Sequence, residues 1–149
     1  MNTTRLALAV LGVSALLGCK DEPSAPQDAC IEPLPECDNP TVPPTFEQIY
    51  THAFEGCGAA STGPSCHSAE GAQHGLVMSN IDTAYDHLLG IGDSDGRARV
   101  LPDDPWCSPL LARIESTDAG FVMPRGSDRL SDGYRCAIRQ WILSGADRD

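Results

Sequence analysis

Strand signals are almost absent from this chain. Only the short run Gly75-Leu76-Val77-Met78 hints at extended structure, so a sheet is excluded and an all-α fold is left. Basic side chains are scarce as well, 10 against 21 acidic ones over 149 residues, for a formal net charge of -11. They lie scattered on an acidic background, which leaves no cationic stripe for a phosphate backbone and argues against a nucleic-acid partner. No internal repeat, glycine-rich phosphate loop or nucleophile elbow is visible. No general acid–base pair or activated nucleophile stands out either, so nothing marks a self-contained enzyme.

A spanning helix is missing too. The one long apolar run, Leu6–Leu17, follows Arg5 and ends in small residues, which is the form of a secretory signal. Leu16-Leu17-Gly18-Cys19 resembles a bacterial lipobox. Residues 1–18 are therefore expected to be removed and Cys19 to be lipidated. Acyl chains would hold the protein at a membrane without spanning it, in the cell envelope, on the periplasmic side or at the outer membrane. Export also permits disulfides. Of seven cysteines, Cys19 is set aside, and an even number remains.

Residues 19–44 are rich in proline and acid, with almost no apolar periodicity, and read as an extended tether. A local Cys30–Cys37 disulfide is expected within it. Residues 45–149 form the domain. Thr45 caps a first helix whose stripe is Phe46, Ile49, Tyr50, Ala53 and Phe54. Asp82 is expected to cap a second helix that ends at Gly90. Ser108-Pro109 opens a third, and a fourth starts at Ser131 with Tyr134, Ile138, Trp141 and Ile142 on one face. Four short helices joined by long loops make a small core, so disulfides or a buried cofactor are expected to organise the rest.

One stretch carries chemistry. Residues 56–67 read GCGAASTGPSCH. A cysteine followed directly by histidine, with a second cysteine upstream, is how a chain attaches haem, normally as C-x-x-C-H. Here eight residues, Gly58 to Ser65, separate Cys57 from Cys66. The insert is glycine, alanine, serine, threonine and proline, able to bulge outward while its ends stay close. Closing a longer flexible loop costs only about 0.6 kcal/mol per doubling of length.

Cys66-His67, GLVM, the Ser108-Pro109 helix start, Met123-Pro124 and the closing Gln140-Trp141-Ile142-Leu143-Ser144-Gly145-Ala146 follow in order. This order resembles the planctomycete-type cytochrome c domain over roughly residues 46–146. The resemblance implies a cytochrome c-like fold, with helices and long loops wrapping one haem. Cys57 and Cys66 would be its thioether attachments, with His67 and Met123 the axial iron ligands. Met78 falls where that family has a buried leucine, so it is read as core, as is Trp141. His52, His74 and His87 are surface residues by residue type, His74 being the substitute distal ligand.

Cys107 and Cys136 are expected to pair across the third and fourth helices. That leaves Cys57 and Cys66 together in either account, as two haem thioethers or as one disulfide. The expected function is one-electron transfer by haem c, since a His/Met iron has no open position for substrate. The negative charge would favour docking on a basic patch of a redox partner. The alternative is a haem-free, disulfide-stapled lipoprotein module with an interaction or envelope-structural role.

Overall fold

The computed structural model describes residues 30–58, 65–92, 94–126 and 128–149. The leader and Cys19 lie outside the described residues. Four helices and no strand occur among those described, so the chain is all-α there. None of these helices is long and apolar enough to cross a membrane.

The first helix, α1, has three parts. An α-helical turn, Phe46–Ile49, runs into a π-helical turn, Tyr50–Phe54, and continues as Glu55–Gly58. The Thr45 side chain accepts from the Gln48 amide at its start. In the π turn the Glu55 amide reaches back to the Tyr50 carbonyl. The second helix, α2, spans Ile81–Leu89. Its cap is Asn80, which accepts from the Thr83 amide at 2.9 Å, and not Asp82, which sits inside the first turn. Gly90 ends it at φ +69°, a left-handed position that glycine adopts without steric cost.

Pro109–Glu115 forms α3. Ser108 precedes it as expected, yet its hydroxyl serves the preceding turn: it accepts from the Leu101 amide and donates to the Asp104 carbonyl, both at 2.8 Å. The last helix, α4, spans Asp132–Leu143, with Ser131 at its cap.

Core packing centres on Phe46, whose ring lies 5.1 Å from both Tyr85 and Trp141. Ile49, Leu88, Leu111, Ile138 and Ile142 are buried around it. The chain end closes over this cluster. Trp141 Nε1 donates to the Asp147 carbonyl at 2.8 Å, and the Tyr85 hydroxyl donates to the Ala146 carbonyl at 3.0 Å. Glu115 on α3 accepts from Arg129 and Arg135, both at 2.9 Å, so an ion pair reinforces the α3–α4 contact.

The largest departure from the sequence reading is the segment before the domain. Residues 30–44 are not a free tether. Ile31 donates its amide to the Trp106 carbonyl at 2.8 Å, Thr41 donates to the Gly133 carbonyl at 3.1 Å, and Val42 is buried in the core. These bonds lay the segment across α3 and α4 as a strap, and they set each strap cysteine beside a distant partner. The disulfides are Cys30–Cys107 and Cys37–Cys136, in place of Cys30–Cys37 and Cys107–Cys136. Local spacing misled because proline and acid composition does not reveal backbone hydrogen bonds made to remote loops. Gly133 permits the close approach, since a Cβ there would lie 2.0 Å from Thr41 Oγ1.

The two bridges close loops of 77 and 99 residues, long enough to restrict the unfolded chain strongly. Peptide mapping without reduction is expected to recover these two links. Replacing Cys37 and Cys136 together by serine should lower stability by about 2–4 kcal/mol in a denaturant titration. The strap should also become open to protease, and a strap as resistant as before would contradict the stapled architecture.

Candidate functional site

The insert between Cys57 and Cys66 is closed at its base. The Cys57 carbonyl, on the last turn of α1, accepts the His67 amide at 3.2 Å and the Ser65 hydroxyl at 2.9 Å. Whatever path residues 59–64 take, Cys57 therefore lies at the backbone of the Cys66-His67 pair. The far side of the insert is tied as well. Ser68 donates its hydroxyl to the Ser65 carbonyl at 3.0 Å, and Gln73 donates its amide to the Cys66 carbonyl at 2.9 Å. Gly71 fits because it has no side chain; a Cβ there would meet the Ser65 carbonyl oxygen at 2.0 Å.

His67 is held by the segment that runs from the turn at Gly75 through Leu76 to Met78. Its Nδ1 lies 3.3 Å from the Leu76 carbonyl oxygen. A carbonyl can only accept, so the proton of the neutral ring is on Nδ1, and Nε2 keeps the lone pair. That is the tautomer a metal-ligating histidine needs, with a backbone oxygen fixing the ring from behind. Burial pushes the His67 pKa down, against the Leu76 hydrogen bond, and the positive charge of Arg99 lowers it further. The ring is thus kept neutral.

Met78 completes the link. Its amide donates to the His67 carbonyl at 2.7 Å, its own carbonyl accepts the Tyr50 hydroxyl at 3.3 Å, and its side chain is core, as read from the sequence. Gly58 is pressed against the same carbonyl.

Cys57 is a free thiol, half-buried, with its Sγ 3.8 Å from the Ala53 carbonyl. Burial pushes its pKa up. The two cysteines flanking the insert are therefore not joined to each other, and Cys66 is itself disulfide-bonded. Met123 sits half-buried after α3, its amide donating to the Arg113 carbonyl at 3.1 Å, and a cis peptide bond links it to Pro124. No hydrogen bond among the described residues joins it to the His67 group. Thus backbone hydrogen bonds bring Cys57 alongside the Cys66-His67 pair, and Met123 lies on a separate loop. His52 and His74 are exposed, whereas His87 is buried, contrary to expectation. It shares the α2 face of Ala84 and Leu88, a spacing that could have signalled this.

Among the described residues no three His, Cys, Asp or Glu side chains gather as a metal cluster. Of the donors a haem c site needs, the described residues place an oriented neutral imidazole beside one free thiol, Cys57, the Cys66 sulfur being held in a disulfide.

Residues 64–126 match the family model described as Planctomycete cytochrome C. The match takes in Cys66-His67 and Met123-Pro124, and it leaves Cys57 and α4 outside. No curated protein and no solved structure matches the chain. The planctomycete cytochrome match thus begins near the end of the insert that sets the cysteine spacing apart from C-x-x-C-H.

Sequence reasoning singles out no residue around Arg99. The Asp95–Arg99 spacing was the available signal. Arg99 meets both Asp95 carboxylate oxygens, at 3.0 and 2.8 Å. Partial burial works against this carboxylate. The Arg99 hydrogen bonds, the Arg97 amide and the two guanidinium charges outweigh it, holding the pKa at about 2.

Two outcomes are expected. Gly58→Ala places a Cβ 1.9 Å from the Met78 carbonyl oxygen and should cost about 1–3 kcal/mol. Gly56→Ala, with nothing within 4 Å, should be neutral or stabilising by about 0.5–1 kcal/mol; equal effects in a thermal melt would contradict the packing. Because the Asp95 pKa is lower folded than unfolded, its contribution is complete above about pH 4 and is lost as pH falls toward about 2. Asp95→Asn should flatten that acid limb in unfolding titrations across this window.

Proposed function

We propose that this chain is an exported, lipid-anchored monohaem c-type cytochrome that carries single electrons in the bacterial cell envelope. The observation that carries the reading is the Cys57 carbonyl bonded to the His67 amide. It supports the lengthened attachment motif, because the backbone of Cys57 stays beside that of Cys66-His67 despite the insert. The family match over residues 64–126 supports it independently.

In this reading Cys57 and Cys66 would hold the haem through thioether sulfurs, and His67 Nε2 and the Met123 sulfur would bind its iron, in a cytochrome c-like fold. The haem, when bound, supplies a reversible Fe(III)/Fe(II) couple, and imidazole with thioether favours the reduced form. The chain's own part is to hold His67 neutral and oriented through Leu76 and to hold the insert closed through Ser65. With His67 and Met123 both committed to the iron, the molecule would be a relay and not a catalyst. Its net charge of -11 suits transient docking on a basic patch of a redox partner, an attraction that weakens with salt.

A second reading is favoured by a specific observation. The domain has its own core, two long-range disulfides and a disulfide at Cys66, which suits a haem-free stapled module. Thioether and disulfide exclude each other at one sulfur, so the readings separate cleanly. Mature protein from cells able to attach haem should carry one haem by intact mass, with a Soret band and covalent haem staining after denaturation. Colourless protein with a disulfide at Cys66 would decide for the stapled module. Met123→Ala should abolish the weak red-edge band of the oxidised protein while haem attachment persists.

A further inference from the structure

The Leu76 carbonyl meets the His67 ring and the Met78 amide bonds the His67 carbonyl, so what fixes residues 74–78 bears on the imidazole. Two groups do so from the opposite side. Arg99 donates through one nitrogen to the His74 carbonyl at 2.6 Å, and through another to the His87 and Arg97 carbonyls at 2.9 and 2.8 Å. The bidentate Asp95 contact pins the plane of its guanidinium. Only 13 % of the Arg99 side chain is exposed, against 48 % for Arg97, which meets the same carboxylate. Exposed pairs like the latter contribute little; a buried fork that serves three carbonyls and a carboxylate fixes geometry.

His87 acts on the next residues. Its Nδ1 lies 3.0 Å from the Gly75 carbonyl oxygen and 3.3 Å from the Val77 amide nitrogen. In extended chain the carbonyl of one residue and the amide two residues on point to the same side, and the residue between points its own carbonyl to the other side. Leu76 is extended, at φ -88° and ψ 119°. With Gly75 and Val77 turned toward His87, the Leu76 carbonyl is turned toward His67. His87 in turn gives its own carbonyl to Arg99, so the two clamps form one closed unit.

We propose that Arg99, acting with His87 through residues 74–77, is the positioning residue that sets the tautomer and orientation of the His67 imidazole. Its importance for haem rests on the reading above, but the placement of His67 can be measured without haem.

The full chain, 15N-labelled and produced without haem attachment, is examined by imidazole proton–nitrogen correlation and amide exchange. Wild type should show His67 as a single tautomer protonated on Nδ1. Arg99→Lys keeps the charge and loses the fork. It should give a mixture of tautomers and speed exchange of the Met78 amide by about tenfold, the size of one net hydrogen bond, while the Trp141 signals stay in place. Arg97→Lys should leave His67 unchanged.

An unaltered His67 in Arg99→Lys and Arg99→Gln would overturn the proposal. So would global unfolding of both, which would make Arg99 a residue of general stability. Loss of the haem reading is seen instead in the intact mass of matured protein, and does not affect this measurement.

Discussion

A single backbone oxygen carries the architecture of the site. The Cys57 carbonyl lies in the last turn of α1, where helix carbonyls look outside the helix for donors. It is satisfied by the His67 amide and the Ser65 hydroxyl. The free acceptor of a helix end thereby becomes the clasp of a loop. Once that clasp is made, the length of the insert no longer matters to the relation between Cys57 and His67. The layer behind it, residues 74–78, then needs only to turn one carbonyl toward the imidazole.

Around this clasp the chain compensates for a modest core. The helices are short, and three aromatic rings, Phe46, Tyr85 and Trp141, lie at its centre. The strap of residues 30–44 adds Val42 to the interior and two covalent links to α4 and to the turn before α3. Arg129 and Arg135, converging on Glu115, hold the loop before α4 against the end of α3. Ordering of long loops is thus shared between disulfides and polar contacts to backbone carbonyls, as expected when little apolar area is available to offset chain entropy.

Helix positions were legible in the sequence because they rest on local chemistry. Thr45, Ser131 and Gly90 sit at their expected boundaries, and the apolar stripe of α1 is the buried one. Asn80 displaced Asp82 as a cap because two polar residues only two positions apart compete for one position, and spacing alone does not choose between them. The cysteine pairing was not legible. It depends on where a proline-rich segment lies in space, and that is set by Ile31 and Thr41 bonding to loops far away in sequence. For the site, the motif residues were visible and their supports were not. Leu76 acts through a backbone oxygen, which any side chain could have offered, and Arg99 is one guanidinium in a loop that looked merely soluble.

The π-helical turn Tyr50–Phe54 has a consequence for everything after it. Such a turn accommodates one residue more than the α-helix around it, which amounts to about 100° of rotation for the residues that follow. Phe46 and Ile49 before the turn and Phe54 at its end are all buried, yet Gly58 still faces Met78 and the Cys57 oxygen still faces His67. The extra residue works as a phase adjuster between two stretches of one helix. One stretch is keyed to the hydrophobic interior and the other to the attachment loop, so the angular setting of the site can be tuned without disturbing the interior it is built on.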